Sequence, residues 1–422
     1  MKKTLFITLA IIFVIIGAAY YWYAVLMNPG IPKQTPIAAS PVSGFSPFNN
    51  SNNNSVSTST QGTNQGTTTE PTAGEGADIV GYKEPKLRQL STAPVAGMGI
   101  ASSTKDTTTV RYIDRGTGYV YEADNTSDEV VKISNTTIPR IYESYANKGA
   151  KSFVLRYLKD QTDTISNFYV ELRPTGTSTS QTPFELKGKF LSNDISSLAV
   201  SPAGDKVFTW NIENGQGVGY VSSFDEKSKV KVATSPLTQL TLDWPETNTV
   251  VLNTKSSGVA TGYIYTIDTK TGLMKSVVGG VRGLTGKVSR DLSRVIYSAS
   301  TNNSFSTYIL NIKDNKTEGV IFKTLADKCA WSNVRKNEVY CAVPTEIPAN
   351  LYPDDWYKGS VSFTDQIWHL DAITGEVHLM GDLFRESDQL IDATNLVLDP
   401  EDNHIYFTNK KDLTLWVLDL NQ

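Results

Sequence analysis

Seven copies of one strand–turn phrase, spaced about 43 to about 58 residues apart, predict an all-β fold: a seven-bladed β-propeller with one four-stranded blade per copy. The clearest copy is GYIYTIDTKTG, Gly262 to Gly272. Ile264 and Ile267 are apolar, Tyr263 and Tyr265 are strand-favouring aromatics, and Asp268 with Gly272 punctuates a hairpin. Further copies begin at Gly118, Phe168, Gly219, Thr307, Gln366 and Thr414. Their strands close at Asp124, Arg173, Asp225, Lys313, Asp371 and Asp419, with Asp268 closing the reference copy. A second phrase confirms the period. An inner hairpin with a short polar turn precedes five of the copies, as in SLAVSPAGDKVFTW from Ser197, with others at Leu240, Gly286, Cys329 and Asn395.

The SPAGDKVFTW hairpin resembles the WD-repeat-like motif of TolB-type bacterial propellers, usually S-P-D-G followed by an alternating strand. The resemblance runs from about Lys86 to the end of the chain, and blades one and two depart most from the pattern. It implies the blade and not the activity, because propellers host many unrelated functions.

Taken in order, the chain predicts three parts: an anchor (residues 1–28), a linker (29–82) and the propeller (83–422). Lys2 and Lys3 precede an uncharged apolar run from Leu5 to Met27. As a helix that run is about 34 Å long, enough to cross a bilayer core. Tyr20 to Tyr23 supply an interfacial aromatic belt, and the two lysines place the rest of the chain outside the cytoplasm. A cleaved signal peptide would have a shorter apolar core. The segment from Pro29 is Ser, Thr, Asn, Gln, Gly and Pro; it lacks the apolar surface to offset ordering entropy and reads as a disordered tether. Blade one uses Met98 to Ile133. Blade two runs to about Leu191 with a polar insertion at Pro174 to Gln181. Blades three to five are regular. Blade six is interrupted from Pro344 to Asp365, and blade seven begins near Asn395.

The last blade has three strands before the chain ends at Gln422. Lys86 to Leu90 is expected to pair with Thr414 to Leu418 and close the ring, Leu87 and Leu90 supplying apolar contacts. Cys329 and Cys341 fall opposite each other on one inner hairpin, in a compartment expected to be oxidising. A disulfide is the expectation.

Composition limits the chemistry. Hydrophobic residues make up 39% of 422, which supplies a sizeable core, and the net charge of −4 argues against a nucleic-acid surface. There are three His and two Cys, no Gly-x-Ser-x-Gly elbow and no zinc spacing. His369, His378 and His404 read as structural. The acids Asp399, Glu401 and Asp402 read as turn residues rather than calcium ligands. Neither a cofactor nor a metal is expected. The adjacent cysteines and the tryptophan in every blade that a quinone-dependent propeller would need are missing.

Loop length points to a face. In a propeller, second-to-third-strand loops and inter-blade connections open on one side. The blade-six insertion carries Tyr352, Asp354, Asp355, Trp356 and Tyr357, and the neighbouring connection carries Arg385. Aromatics and Arg are hot-spot residues. Changing Tyr352, Trp356 and Tyr357 to Ala is expected to abolish partner capture with little loss of stability. Arg140, Arg282 and Lys328 lie in inter-blade connections on the same face and would make the channel mouth basic. The sequence thus reads as a non-catalytic, membrane-anchored scaffold, a monomer binding a protein or glycan of the cell envelope. The alternative is a small-ligand-binding or catalytic propeller with its site at the channel mouth. Converging polar groups deep in the channel would favour the alternative, and an exposed aromatic rim the scaffold.

Overall fold

The computed structural model describes residues 86–159, 164–176 and 183–421. The expected anchor and linker lie outside the described residues. Among the described residues no helix is long and apolar enough to cross a membrane.

The described residues form seven antiparallel sheets of four strands. Six blades are consecutive in sequence, spanning 95–132, 141–190, 195–235, 240–282, 285–319 and 329–382. The seventh combines Ala393–Leu398, His404–Asn409 and Leu415–Asp419 with Leu87–Gln89 from the start of the described region. That strand registers Leu87 with Leu418, Arg88 with Val417 and Gln89 with Trp416.

Blade stacking explains the sequence pattern. A sheet covered on both faces needs apolar residues on both, so second strands are near-continuous apolar runs. Val250–Leu252 and Phe153–Leu155 are buried throughout, whereas the outermost strand of blade five, Lys316–Gly319, is exposed throughout. Seven apolar clusters fill the seven junctions between neighbouring blades. Phe208, Trp210, Trp244 and Leu252 join blades three and four, for example. Tyr112, Val110, Tyr406 and Val417 join blade seven to blade one and complete the circle. Innermost strands crowd together around the axis. A Cβ on Gly99 of blade one would lie 2.3 Å from the Cβ of Ala146 in blade two, so only glycine fits there.

Cys329 and Cys341 are directly paired in the first hairpin of blade six and form a disulfide, with their Cα atoms 4.1 Å apart. The pairing follows from register: two cysteines on one face of adjacent antiparallel strands, one opposite the other.

Candidate functional site

The second strand of blade six, Glu338–Pro344, and its third, Asp365–Asp371, are separated by residues 345–364. This segment lies on the face of second-to-third-strand loops and inter-blade connections. A short helix α1 (Asp354–Tyr357) forms within it, and a second, α2 (Leu383–Ser387), opens the connection from blade six to blade seven.

The segment folds inward. Tyr352 is 1% and Trp356 3% exposed, packed with Phe305, Leu325, Val361 and Phe363 in an eighth apolar cluster. Phe305 meets Tyr352 edge-on at 4.9 Å. Polar ties fasten the segment to blades four and five. Ser257 Oγ donates to Asp354 Oδ1 (2.8 Å), Gly258 N–H donates to Asp354 Oδ2, and Ser300 Oγ donates to the Tyr352 carbonyl. Asp355 accepts from Leu351 N–H at 2.9 Å. A Cβ on Gly258 would lie 2.4 Å from the Tyr352 carbonyl oxygen, so the two loops meet backbone to backbone. This corrects the expectation of an exposed aromatic rim. Tyr352 and Trp356 are core residues of a clamp, and only Tyr357, 45% exposed, presents a ring to solvent.

The expected basic mouth is also corrected. Lys328 is fully buried between Asp365 (2.8 Å) and Asp392, beneath the rings of Trp356 and Phe363 at 5.2 and 5.3 Å. Asp392 also accepts from Trp356 Nε1 (2.9 Å), Ser362 Oγ (3.1 Å) and Phe363 N–H (3.0 Å). Burial, with Asp392 as a like-charged neighbour, raises the Asp365 carboxyl to about 6. Arg282 donates Nε to the Gly258 carbonyl at 2.6 Å and braces the blade-four loop. Arg140 stands at the junction of blades one and two, beside Tyr157, Phe168 and Phe190. Arg385 extends into solvent, 3.6 Å from Asp382. The three channel-mouth cations therefore do not converge.

A different set of side chains does. Between blades four and five, roofed by Tyr357 of the insertion, lies a cavity of about 330 Å³. Thr241 comes from the innermost strand of blade four, Asn253 from its second strand and Ser256 from the loop that follows. Asp327 comes from the blade-five-to-six connection, and Lys255 stands at the exposed edge. Asn253 Oδ1 and Ser256 Oγ are buried without a hydrogen-bond partner. Tyr357 OH donates to Asp327 Oδ2. Burial raises the Asp327 carboxyl, partly offset by the Tyr357 hydrogen bond and by Lys287 and Lys328. Burial and the Asp327 charge hold the Tyr357 hydroxyl well above its ordinary range. Asp327 is half-buried and lines the cavity beside Tyr357. Sequence reading passed over Asn253, Ser256 and Asp327, single polar residues in segments of ordinary length. The available signal was position, since all three occupy strand ends or loops on the insertion-bearing face.

The opposite mouth of the channel is wider, a cavity of about 720 Å³ edged by first-to-second-strand turns and by Lys148, Arg290 and Glu401. The turn acids of blade seven bind across blades. Asp402 accepts from Ser332 Oγ and from Asn333 N–H (2.9 Å). Each histidine is engaged: His369 with Glu338 (3.0 Å), His378 with Glu376 (3.2 Å), His404 with Asp399 (2.9 Å) and Asn125 (3.0 Å). Among the described residues no group of three His, Cys, Asp or Glu is arranged to hold a metal ion.

Fold and site together define a closed seven-bladed propeller with a pocket between blades four and five, roofed by the clamped insertion. Solved structures share the architecture. An oligogalacturonate lyase in complex with manganese superposes with a TM-score of 0.51 at 10% identity, over 81% of this chain and 94% of that one. The β-propeller domain of the trilobed protease from Pyrococcus furiosus gives 0.44 at 11% identity, over 78% and 99%. TolB from Acinetobacter baumannii gives 0.39 at 10% identity, over 73% and 61%. At these identities the likeness is one of fold. No protein-family model matches the chain, and no curated protein matches it.

Proposed function

We propose that the chain is a membrane-anchored, extracytoplasmic binding propeller that holds its ligand in the pocket between blades four and five, under Tyr357. The observation that carries this reading is a preformed cavity of about 330 Å³ between two blades, with Thr241, Lys255, Ser256 and Asp327 among its lining and Tyr357 of the insertion over it. A largely apolar concavity with a few polar side chains is the ordinary form of a small-molecule site. The volume lies near the lower end of the roughly 300–1,000 Å³ range of small-molecule sites. The blade-six insertion serves as a rigid roof, which keeps the pocket preformed. The anchor reading supports placement outside the cytoplasm, and the disulfide accords with an oxidising compartment. A catalytic version of the same reading draws on the raised Asp327 carboxyl and its Tyr357 partner as a perturbed pair in a cleft.

Native mass spectrometry of the full-length chain, purified from its own membrane fraction, tests the binding reading. Wild type should carry a bound small mass that Ser256→Phe lacks, at equal melting temperature. The same adduct on both proteins would place the ligand elsewhere. Conversion of the released ligand into a second species by wild type alone would favour the catalytic version.

A further inference from the structure

Resting on that pocket reading, we infer that the ligand is a small carboxylic acid with an apolar body about the size of one ring. The body fills the cavity and the carboxylate stays at its edge, beside Lys255. The lining residues are rich in polar side chains, yet most of their polar atoms are engaged elsewhere. Thr254 Oγ1 accepts from Tyr263 N–H at 2.9 Å. Thr285 Oγ1 bonds Ser298 Oγ at 2.6 Å and accepts from Ala326 N–H at 2.9 Å. Asn253 Oδ1 and Ser256 Oγ are sealed from solvent. What a ligand meets is mainly carbon, including Leu284, Gly286, the stem of Lys255 and the half-exposed ring of Tyr357. A hydroxyl-rich ligand would lose its water there without replacement, whereas an apolar body gains by leaving water and by contact with the Tyr357 ring.

Two charged side chains line the cavity, and they differ in what they still lack. Asp327 Oδ2 takes the Tyr357 hydroxyl, and Lys287 and Lys328 counter its charge against the upward push of burial. Lys255 stands at the exposed edge, and among the described residues no carboxylate pairs with it. An ammonium ligand would have to displace the Tyr357 hydroxyl from Asp327 and would be repelled by Lys255 at the entrance. A carboxylate carried at the trailing end of an apolar body meets Lys255 and stays clear of Asp327.

Isothermal titration tests the class, with the full-length chain in nanodiscs and empty nanodiscs to subtract partition of each probe. The probes are phenylpropionate, phenylpropanol, phenylpropylamine and a neutral disaccharide. Phenylpropionate should bind more tightly than phenylpropanol, and the amine and the disaccharide more weakly than either. Lys255→Gln should weaken the acid about threefold to fivefold at low salt, and less as salt rises, as for an exposed ion pair. It should leave the alcohol unchanged. Tyr357→Phe keeps the ring and should keep the affinity, whereas Tyr357→Ser should weaken acid and alcohol alike. Equal losses with Phe and Ser would overturn the apolar body. Thr241→Trp fills the cavity from an exposed position on the innermost strand and should abolish binding, as should Ser256→Phe. Preferred binding of the amine or the disaccharide, abolished by these two variants, would overturn the ligand class and leave the pocket reading standing. Failure of every probe to bind wild type would also overturn the class, and the pocket reading would then stand or fall on the native adduct that Ser256→Phe lacks. Binding of phenylpropionate that both filling variants retain would overturn class and site together.

Discussion

Lys328 has one charge and two carboxylates to answer it, all three groups removed from water. The arrangement makes Asp365 a proton-binding group near neutrality. Its folded value of about 6 lies above the ordinary 3.8, so the folded state holds the proton more tightly than the unfolded chain. The stability this group contributes is fully present below about 3.8 and is lost as pH rises through about 6. Denaturant titrations between pH 4 and 7 should show this fall, with a slope of at most about 1.4 kcal/mol per pH unit from one proton. Asp365→Asn should remove it, since the amide oxygen still accepts from Ala393 N–H. A slope unchanged in the variant would assign the effect to another group. Trp356 stands over the same cluster and is 3% exposed. Trp356→Ala should cost about 3–5 kcal/mol, measured by chemical denaturation, because it leaves a cavity and strips a hydrogen bond from Asp392. These placements were not legible in YPDDWY. An aromatic cluster in a long loop reads alike whether it faces out or packs on Phe305 of another blade, and nothing local records that partner.

At the level of elements, local pattern carried far. Strand ends, inner hairpins and the cysteine register followed from two-residue alternation, which fixes both face and neighbour. Helix α1 did not, because four residues are too few to display a helical period. The blade-six hairpin combines both lessons. Its innermost strand, Cys329–Trp331, has three residues, and the disulfide ties it to Cys341 directly behind Lys328. Converting both cysteines to serine should destabilise the protein by about 3 kcal/mol in the chain-entropy model, given a sequence separation of 12. The check is urea unfolding of the variant beside the oxidised wild type. Equal midpoints would mean that the bond contributes nothing beyond the packing around it. The pocket was legible only as a face, since Asn253, Ser256 and Asp327 converge through ring geometry that brings blades four to six together.

For the whole molecule the controlling problem is closure. Seven apolar clusters, one per junction, hold the blades, but a ring opens at its weakest junction. The seam is where the first strand of the described region joins the last blade, and three layers secure it. Backbone bonds pair Leu87–Gln89 with the third strand of blade seven, extended by Leu90 N–H to the Leu415 carbonyl (2.7 Å) and Asp419 N–H to the Lys86 carbonyl (2.8 Å). Leu87 joins the core between blades six and seven, and Leu90 joins that between blades seven and one, so one short strand contributes to two junctions. Buried Arg88 then reaches into blade one, donating to the Asn125 and Ser127 carbonyls and pairing with Asp128 at 3.3 Å. Removing residues 1–90 deletes all of this and exposes an unpaired edge, whereas removing 1–77 deletes none of it. The longer truncation should melt at least roughly 5 °C lower, as expected for the loss of a few kcal/mol from a large domain, and the shorter one at the wild-type temperature. Arg88→Ala in the full chain should fall between them, since it keeps the strand and removes the link to blade one. Equal melting temperatures for the two truncations would show that the seam is held by the apolar contacts of blades seven and one alone, and that the closing strand is dispensable.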